Sequence, residues 1–153
     1  MTVLYAEDDE NDVFFMRRAF AKLGLRGALH VVSNGRAAVD CLDGTGEFAD
    51  RVQHPLPSLL ILDVKMPAMS GLEVLQWTRA QPGFNHLPIV VFTSSTQYAD
   101  LAFSREHGAS AYVVKPANLE QLPVLVHAIL DAVAAPRPGN VALDFPQNLL
   151  RPT

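Results

Sequence analysis

The run Leu59-Leu60-Ile61-Leu62-Asp63, followed by Val64-Lys65-Met66-Pro67, constrains the fold more than any other segment. Four consecutive apolar residues leave no polar face, which is the pattern of a strand covered on both sides in a parallel sheet. An acid and a proline-containing turn end the run. In open α/β sheets, chemistry sits just outside the carboxyl ends of the strands. Asp63 therefore stands where a functional carboxylate belongs.

The same pattern recurs along the chain. Strands are predicted at 3–6, 28–32, 59–62, 89–92 and 111–114. The acidic turn Glu7–Asp12 supplies N-caps for a first helix that runs to about Leu23, and further helices are predicted at about 36–43, 72–80, 97–107 and 119–134. Gly24 and Gly27 end the first helix, and Asp9 is read as its N-cap. Residues 44–58 read as a long polar loop. Five alternations of strand and helix argue for a doubly wound parallel sheet covered on both faces. Pro123, inside the pattern of the last helix, should kink or delay it. The 153 residues with 49% hydrophobic content suffice for one globular domain. We assign it residues 1–135, with 136–153 as a C-terminal docking arm rather than a second domain.

Composition narrows the function. No apolar stretch reaches membrane-spanning length, and Met1-Thr2-Val3-Leu4 leads straight into a strand without the features of a signal peptide. Cys41 is the single cysteine, so no intrachain disulfide forms, which fits a cytoplasmic location. The formal charge of -4 argues against a broad nucleic-acid-binding face. The five histidines are scattered without metal-ligand spacing and are read as surface or loop residues. Cys41 and Trp77 are read as packing residues.

Four strand ends carry chemistry: Glu7-Asp8, Asp63, Thr93-Ser94 and Lys115-Pro116. If these strands are neighbours, three acids, a hydroxyl and an amine converge. Clustered carboxylates repel, and a divalent oxygen-seeking cation resolves that repulsion. Lys115 and Thr93 would then face a negative group from outside the protein, and a phosphoryl group fits. A carboxylate such as Asp63 can also be the nucleophile that forms an aspartyl-phosphate.

The segments Ala6-Glu7-Asp8-Asp9, Leu62-Asp63-Val64-Lys65-Met66-Pro67 with Ser70-Gly71-Leu72, Val91-Phe92-Thr93-Ser94 and Tyr112-Val113-Val114-Lys115-Pro116 resemble the receiver domain of two-component response regulators. The resemblance runs from Val3 to about Ala134. It implies a flavodoxin-like sheet of order 2-1-3-4-5. It also implies that Asp63 accepts phosphate from a phosphohistidine. Asp8 and Asp63 would ligate Mg²⁺ or Mn²⁺, together with the Lys65 backbone carbonyl and, through water, Glu7. Lys115, Thr93 and Ser94 would meet the phosphoryl group, with Tyr112 following Thr93 as an aromatic switch. Gly71 would close the loop into the third helix, and Lys115-Pro116 would be cis. Lys65 and Ser95 would flank the approach of water and tune the phosphoryl lifetime. Ala117 departs from the aromatic residue common at that position.

The long loop before the third strand and the tail are similar to single-domain regulators that partner phytochrome-type kinases. The implied partners are a sensor histidine kinase of bacteriophytochrome type and a downstream phosphotransferase. Two other readings stand beside this one: a Mg²⁺-dependent aspartyl-phosphate phosphohydrolase, and a degenerate receiver acting as a scaffold. Lys65 counts against the first, because such enzymes commonly carry an acid two residues after the nucleophile. The intact Asp63, Thr93 and Lys115 count against the second. A homodimer is also expected. Phe14 projects among cations opposite the core stripe of the first helix, Val124 and Ala128 lie off the main stripe of the last, and the tail carries Phe145, Leu149 and Leu150.

Overall fold

The computed structural model describes residues 1–135. Five parallel strands, β1 (Val3–Ala6), β2 (Leu29–Val32), β3 (Leu59–Leu62), β4 (Ile89–Thr93) and β5 (Ala111–Val114), form one sheet in the order β2-β1-β3-β4-β5. The helices are α1 (Glu10–Lys22), α2 (Gly35–Asp43), α3 (Gly71–Ala80), α4 (Tyr98–Glu106) and α5 (Leu122–Ala134). The strand order and the four crossovers, followed by α5, are those expected from the sequence. The inferred docking arm, with Phe145, Leu149 and Leu150, lies outside the described residues.

Side-chain alternation along the strands builds two cores. On one face, Val3 and Tyr5 of β1 pack with Met16 and Phe20 of α1 and Leu125 and Ile129 of α5. On the other, Leu4 and Ala6 pack with Val39 and Leu42 of α2 and Val74 and Leu75 of α3. All four residues of β1 and of β3 are buried, as their unbroken apolar composition requires. Each large side chain buried this way contributes about 1.5–3 kcal/mol, so β1 and β3 are the fixed frame of the molecule.

Several boundaries shift for local reasons. Pro123 delays α5 rather than kinking it: a 3-10 turn at Leu119–Gln121 precedes the helix, and the proline sits in its first turn, where no hydrogen bond is lost. The loop over 44–58 holds a 3-10 turn, Gly46–Ala49, that buries Phe48 against the sheet. Arg51 fastens it by donating to the carbonyls of Cys41 at 2.7 Å and Leu42 at 3.0 Å at the end of α2. The expectation of a cis Lys115–Pro116 bond is corrected: there is no cis peptide bond among the described residues. His30 is also corrected from surface or loop to a half-buried place within β2. Cys41 is buried, Trp77 packs beside Phe84, and Phe14 is 59% exposed, each as read from the sequence.

Candidate functional site

Strand register brings the acids together. Ala6 is level with Leu62 across the β1–β3 pair, so the next residues, Glu7 and Asp63, emerge side by side. The ladders continue one bond past the strands, from the Asp63 amide to the Ala6 carbonyl at 3.1 Å and from the Lys115 amide to the Thr93 carbonyl at 2.8 Å. The backbone at the floor of the site is therefore as fixed as the sheet.

The acids divide by depth. Glu7 and Asp63 are buried, at 1% and 7% exposure, while Asp8 lies exposed at the mouth. One carboxylate oxygen from each of the three lies within 4.8 Å of the others. Glu7 is anchored through both of its oxygens. Its Oε1 accepts from the Asp9 amide at 3.0 Å, and its Oε2 accepts from Lys115 Nζ at 2.7 Å and from the Tyr5 hydroxyl at 3.3 Å. Asp63 Oδ1 accepts from the Val64 amide at 2.8 Å, and Oδ2 faces Lys115 Nζ at 3.3 Å. The loop after Asp63 returns through Gly71, whose amide donates to the Val64 carbonyl at 2.9 Å. A Cβ at Gly71 would collide with the Asp63 carbonyl oxygen, so only glycine permits this closure.

Lys115 is the central cation. Its side chain is 6% exposed, and it reaches Glu7 and Asp12 at 2.7 Å each, with Asp63 at 3.3 Å. Burial pulls its ammonium down, but the hydrogen bonds to Asp12 and Glu7 and the charge of Asp63 outweigh that and hold it above the ordinary lysine range. Burial pushes the Glu7 carboxyl up; Lys115 opposes this and Asp63 adds to it. Burial, helped by the charges of Glu7, Asp12 and Asp63, also raises the Tyr5 phenol, which stays a neutral donor. Three carboxylates thus face one ammonium, with Asp8 close beside two of them. A divalent cation with a preference for oxygen ligands fits this donor set, because it supplies positive charge where Lys115 alone is outnumbered.

The hydroxyl side of the site is wired differently. Thr93, at 2% exposure, accepts from the Ser95 amide at 3.2 Å through its Oγ1. Ser95 Oγ donates to Asp100 at 2.6 Å, and its carbonyl accepts from the Tyr112 hydroxyl at 2.8 Å. Ser94 and Lys65 are exposed at the rim. Asp9 is the N-cap of α1, accepting from the amides of Asn11 and Asp12 at 2.9 and 3.1 Å. Two participants escaped the sequence reading. Asp12 and Asp100 are ordinary acids in first helical turns; the packing of α1 brings Asp12 to Lys115, and the turn into α4 brings Asp100 back to Ser95.

Comparison with known proteins identifies the family and the fold. A family model described as the response regulator receiver domain matches residues 3–127. Response regulator Rcp1 of Synechocystis is 29% identical over 127 residues, covering 83% of this chain and 84% of that protein. The crystal structure of its Mn²⁺-bound form superposes with a TM-score of 0.76, covering 89% of this chain and 99% of that one. The phosphorylated cyanobacterial phytochrome response regulator RcpA superposes at 0.81 with 27% identity, over 90% of this chain and 96% of that one. The bacteriophytochrome response regulator RtBRR is 34% identical with a TM-score of 0.71, over 97% of this chain and 87% of that one.

Proposed function

The chain belongs to the response regulator receiver family, whose function is to accept a phosphoryl group on an aspartate, and we propose that Asp63 is that aspartate. The observation that carries this is the position of Asp63 Oδ2. Asp63 ends a fully buried strand, its Oδ2 is 3.3 Å from a buried ammonium, and one of its carboxylate oxygens lies within 4.8 Å of an oxygen from each of Glu7 and Asp8. A carboxylate oxygen of Asp63 attacks the phosphorus of a phosphohistidine. The P–O bond forms as the P–N bond breaks, and the electron pair returns to the imidazole nitrogen, which takes up a proton. Lys115 holds the acceptor side and meets the negative charge of the transferred group. Thr93 and Ser94 offer hydroxyls to its oxygens, and Tyr112 follows Thr93 through Ser95.

A divalent cation, Mg²⁺ or Mn²⁺, would be held by Asp8 and Asp63, by the Lys65 carbonyl and through water by Glu7, and when bound it neutralises the charge of the transferred group. The exposed Lys65 side chain and Ser95, whose hydroxyl is engaged by Asp100, leave no acid free to orient water, so self-dephosphorylation is slow. The domain over 1–135 acts as a switch rather than as an enzyme on an outside substrate. The similarity to RcpA and RtBRR supports a sensor histidine kinase of bacteriophytochrome type as donor, with a downstream phosphotransferase or protein partner as receiver of the signal. Such a kinase presents its phosphohistidine in the cytoplasm, and no helix among the described residues is long and apolar enough to cross a membrane. Phe14 and Val124, 59% and 67% exposed, support a homodimer.

The test is intact-mass measurement after incubation with a small-molecule phosphodonor. One phosphoryl group is expected on the wild type with Mg²⁺, and none after EDTA treatment or in Asp63→Asn. Full labelling of Asp63→Asn contradicts the assignment.

A further inference from the structure

Lys115 has three N–H donors, and three carboxylates take them, unequally. Glu7 and Asp12 stand at 2.7 Å and Asp63 at 3.3 Å. The two close partners differ in how firmly they are held. Glu7 is buried and also accepts from Tyr5 and the Asp9 amide, so it cannot leave. Asp12 sits in the first turn of α1 at the rim, its side chain 19% exposed, and Lys115 is the ion pair that holds its carboxylate inward.

We propose that Asp12 is a positioning residue that draws the Lys115 ammonium toward α1 and away from Asp63, and so sets the balance between the metal-ready and the phosphoryl-bound states of the site. This rests on the reading of Asp63 as phosphoacceptor. Two physical effects act together. A phosphoryl group on Asp63 carries more negative charge than the carboxylate it replaces and reaches beyond it, so Lys115 must turn from Asp12 to meet it. The Asp12 carboxylate opposes that turn by its hold on the amine and by direct repulsion of the phosphoryl oxygens. In the unphosphorylated site the same hold has the opposite value. It keeps Lys115 from closing on Asp63 and leaves that carboxylate available to a divalent cation. The hydrogen bond that Lys115 donates to Asp12 at 2.7 Å is also the largest influence opposing burial and keeping the ammonium charged.

Replacing Asp12 with Asn nearly keeps its shape and removes its charge. Mg²⁺ alone and the phosphoryl mimic beryllofluoride with saturating Mg²⁺ are titrated into wild type, Asp12→Asn and Asp12→Glu, by calorimetry and by ¹⁹F NMR respectively. Removing one unit charge beside an ionic group is worth about one pK unit, a factor of about ten. Asp12→Asn is therefore expected to bind beryllofluoride about tenfold tighter and Mg²⁺ alone severalfold weaker, with Asp12→Glu near wild type in both. Opposite signs separate positioning from damage, since a loosened α1 weakens both ligands. If wild type binds beryllofluoride and Asp12→Asn binds it no tighter, or if Asp12→Glu matches Asp12→Asn, the inference is overturned and the phosphoacceptor reading stands. Wild type that takes no beryllofluoride overturns both.

Discussion

α3 and α4 each leave one half of the site, and they are anchored by different physics. α3 begins after Asp63 with a closed capping box: Ser70 Oγ accepts from the Glu73 amide at 3.2 Å, and the Glu73 carboxylate accepts from the Ser70 amide at 2.8 Å. It then buries Gly71, Val74, Leu75 and Thr78. α4 begins after Thr93 at Gln97, which makes no side-chain cap, and of its nine residues only Ser104 is buried. α4 is held instead through Ser95, which bonds to Thr93, Asp100, Gln97 and Tyr112. A packed apolar face resists displacement because every contact must be lost together. A set of hydrogen bonds, each with a net value of about 1 kcal/mol, can exchange partners one at a time. The acid half of the site is therefore a fixed platform. In the proposed switch, the hydroxyl half is where a change at Thr93 would pass through Ser95 to α4.

The contrast can be broken from either side. The largest effect is expected at the platform. Gly71→Ala places a Cβ against the Asp63 carbonyl, with backbone rather than a pliable side chain in the way. The turn must shift, and urea denaturation should show a loss of about 3 kcal/mol or more. A loss under about 1 kcal/mol would mean that the platform is pliable. A smaller effect is expected on the α4 side. Tyr112→Phe deletes the hydroxyl donated to Ser95, so stability should fall by only about 1 kcal/mol. Amide exchange should nevertheless rise across 95–106 and stay unchanged in α3. Smallest is a gain: Gln97→Asp supplies the missing N-cap on an extended backbone, adding about 0.5–1 kcal/mol. If α4 is the responsive element, this variant also damps the phosphorylation-linked change there. A variant that is more stable and responds fully would blunt the comparison.

The sequence was most legible where one physical cause acted alone. β3 and β5 lie where they were expected, because short apolar runs bounded by acid, glycine or proline admit few alternatives. Asp9 caps α1 because an acid just before a helix has one obvious use for its oxygen. The convergence of Glu7, Asp8, Asp63, Thr93 and Lys115 followed from placing strand ends side by side. What remained hidden depended on packing between distant elements. Asp12 meets Lys115 across 103 residues, and nothing local distinguishes it from other first-turn acids. Asp100 on Ser95 and Arg51 on the end of α2 lie only five to ten residues from their partners, but the turn geometry that brings each pair together leaves no pattern in the sequence. The burial of Phe48 was missed because the polar composition of 44–58 masked one apolar anchor. The expectation of a cis Lys115–Pro116 bond came from resemblance rather than from any residue near it, and it did not hold.

Phosphoryl capture at Asp63 is expected to be transmitted to α4 while α3 stays fixed. Hydrogen–deuterium exchange, with Mg²⁺ alone and with Mg²⁺ plus beryllofluoride, tests this in wild type and in Asp63→Asn. Beryllofluoride is expected to change exchange in 93–106 of the wild type, to leave 71–80 unaltered, and to have no effect on Asp63→Asn. An equal change in both helices, or a response that persists in Asp63→Asn, would contradict it.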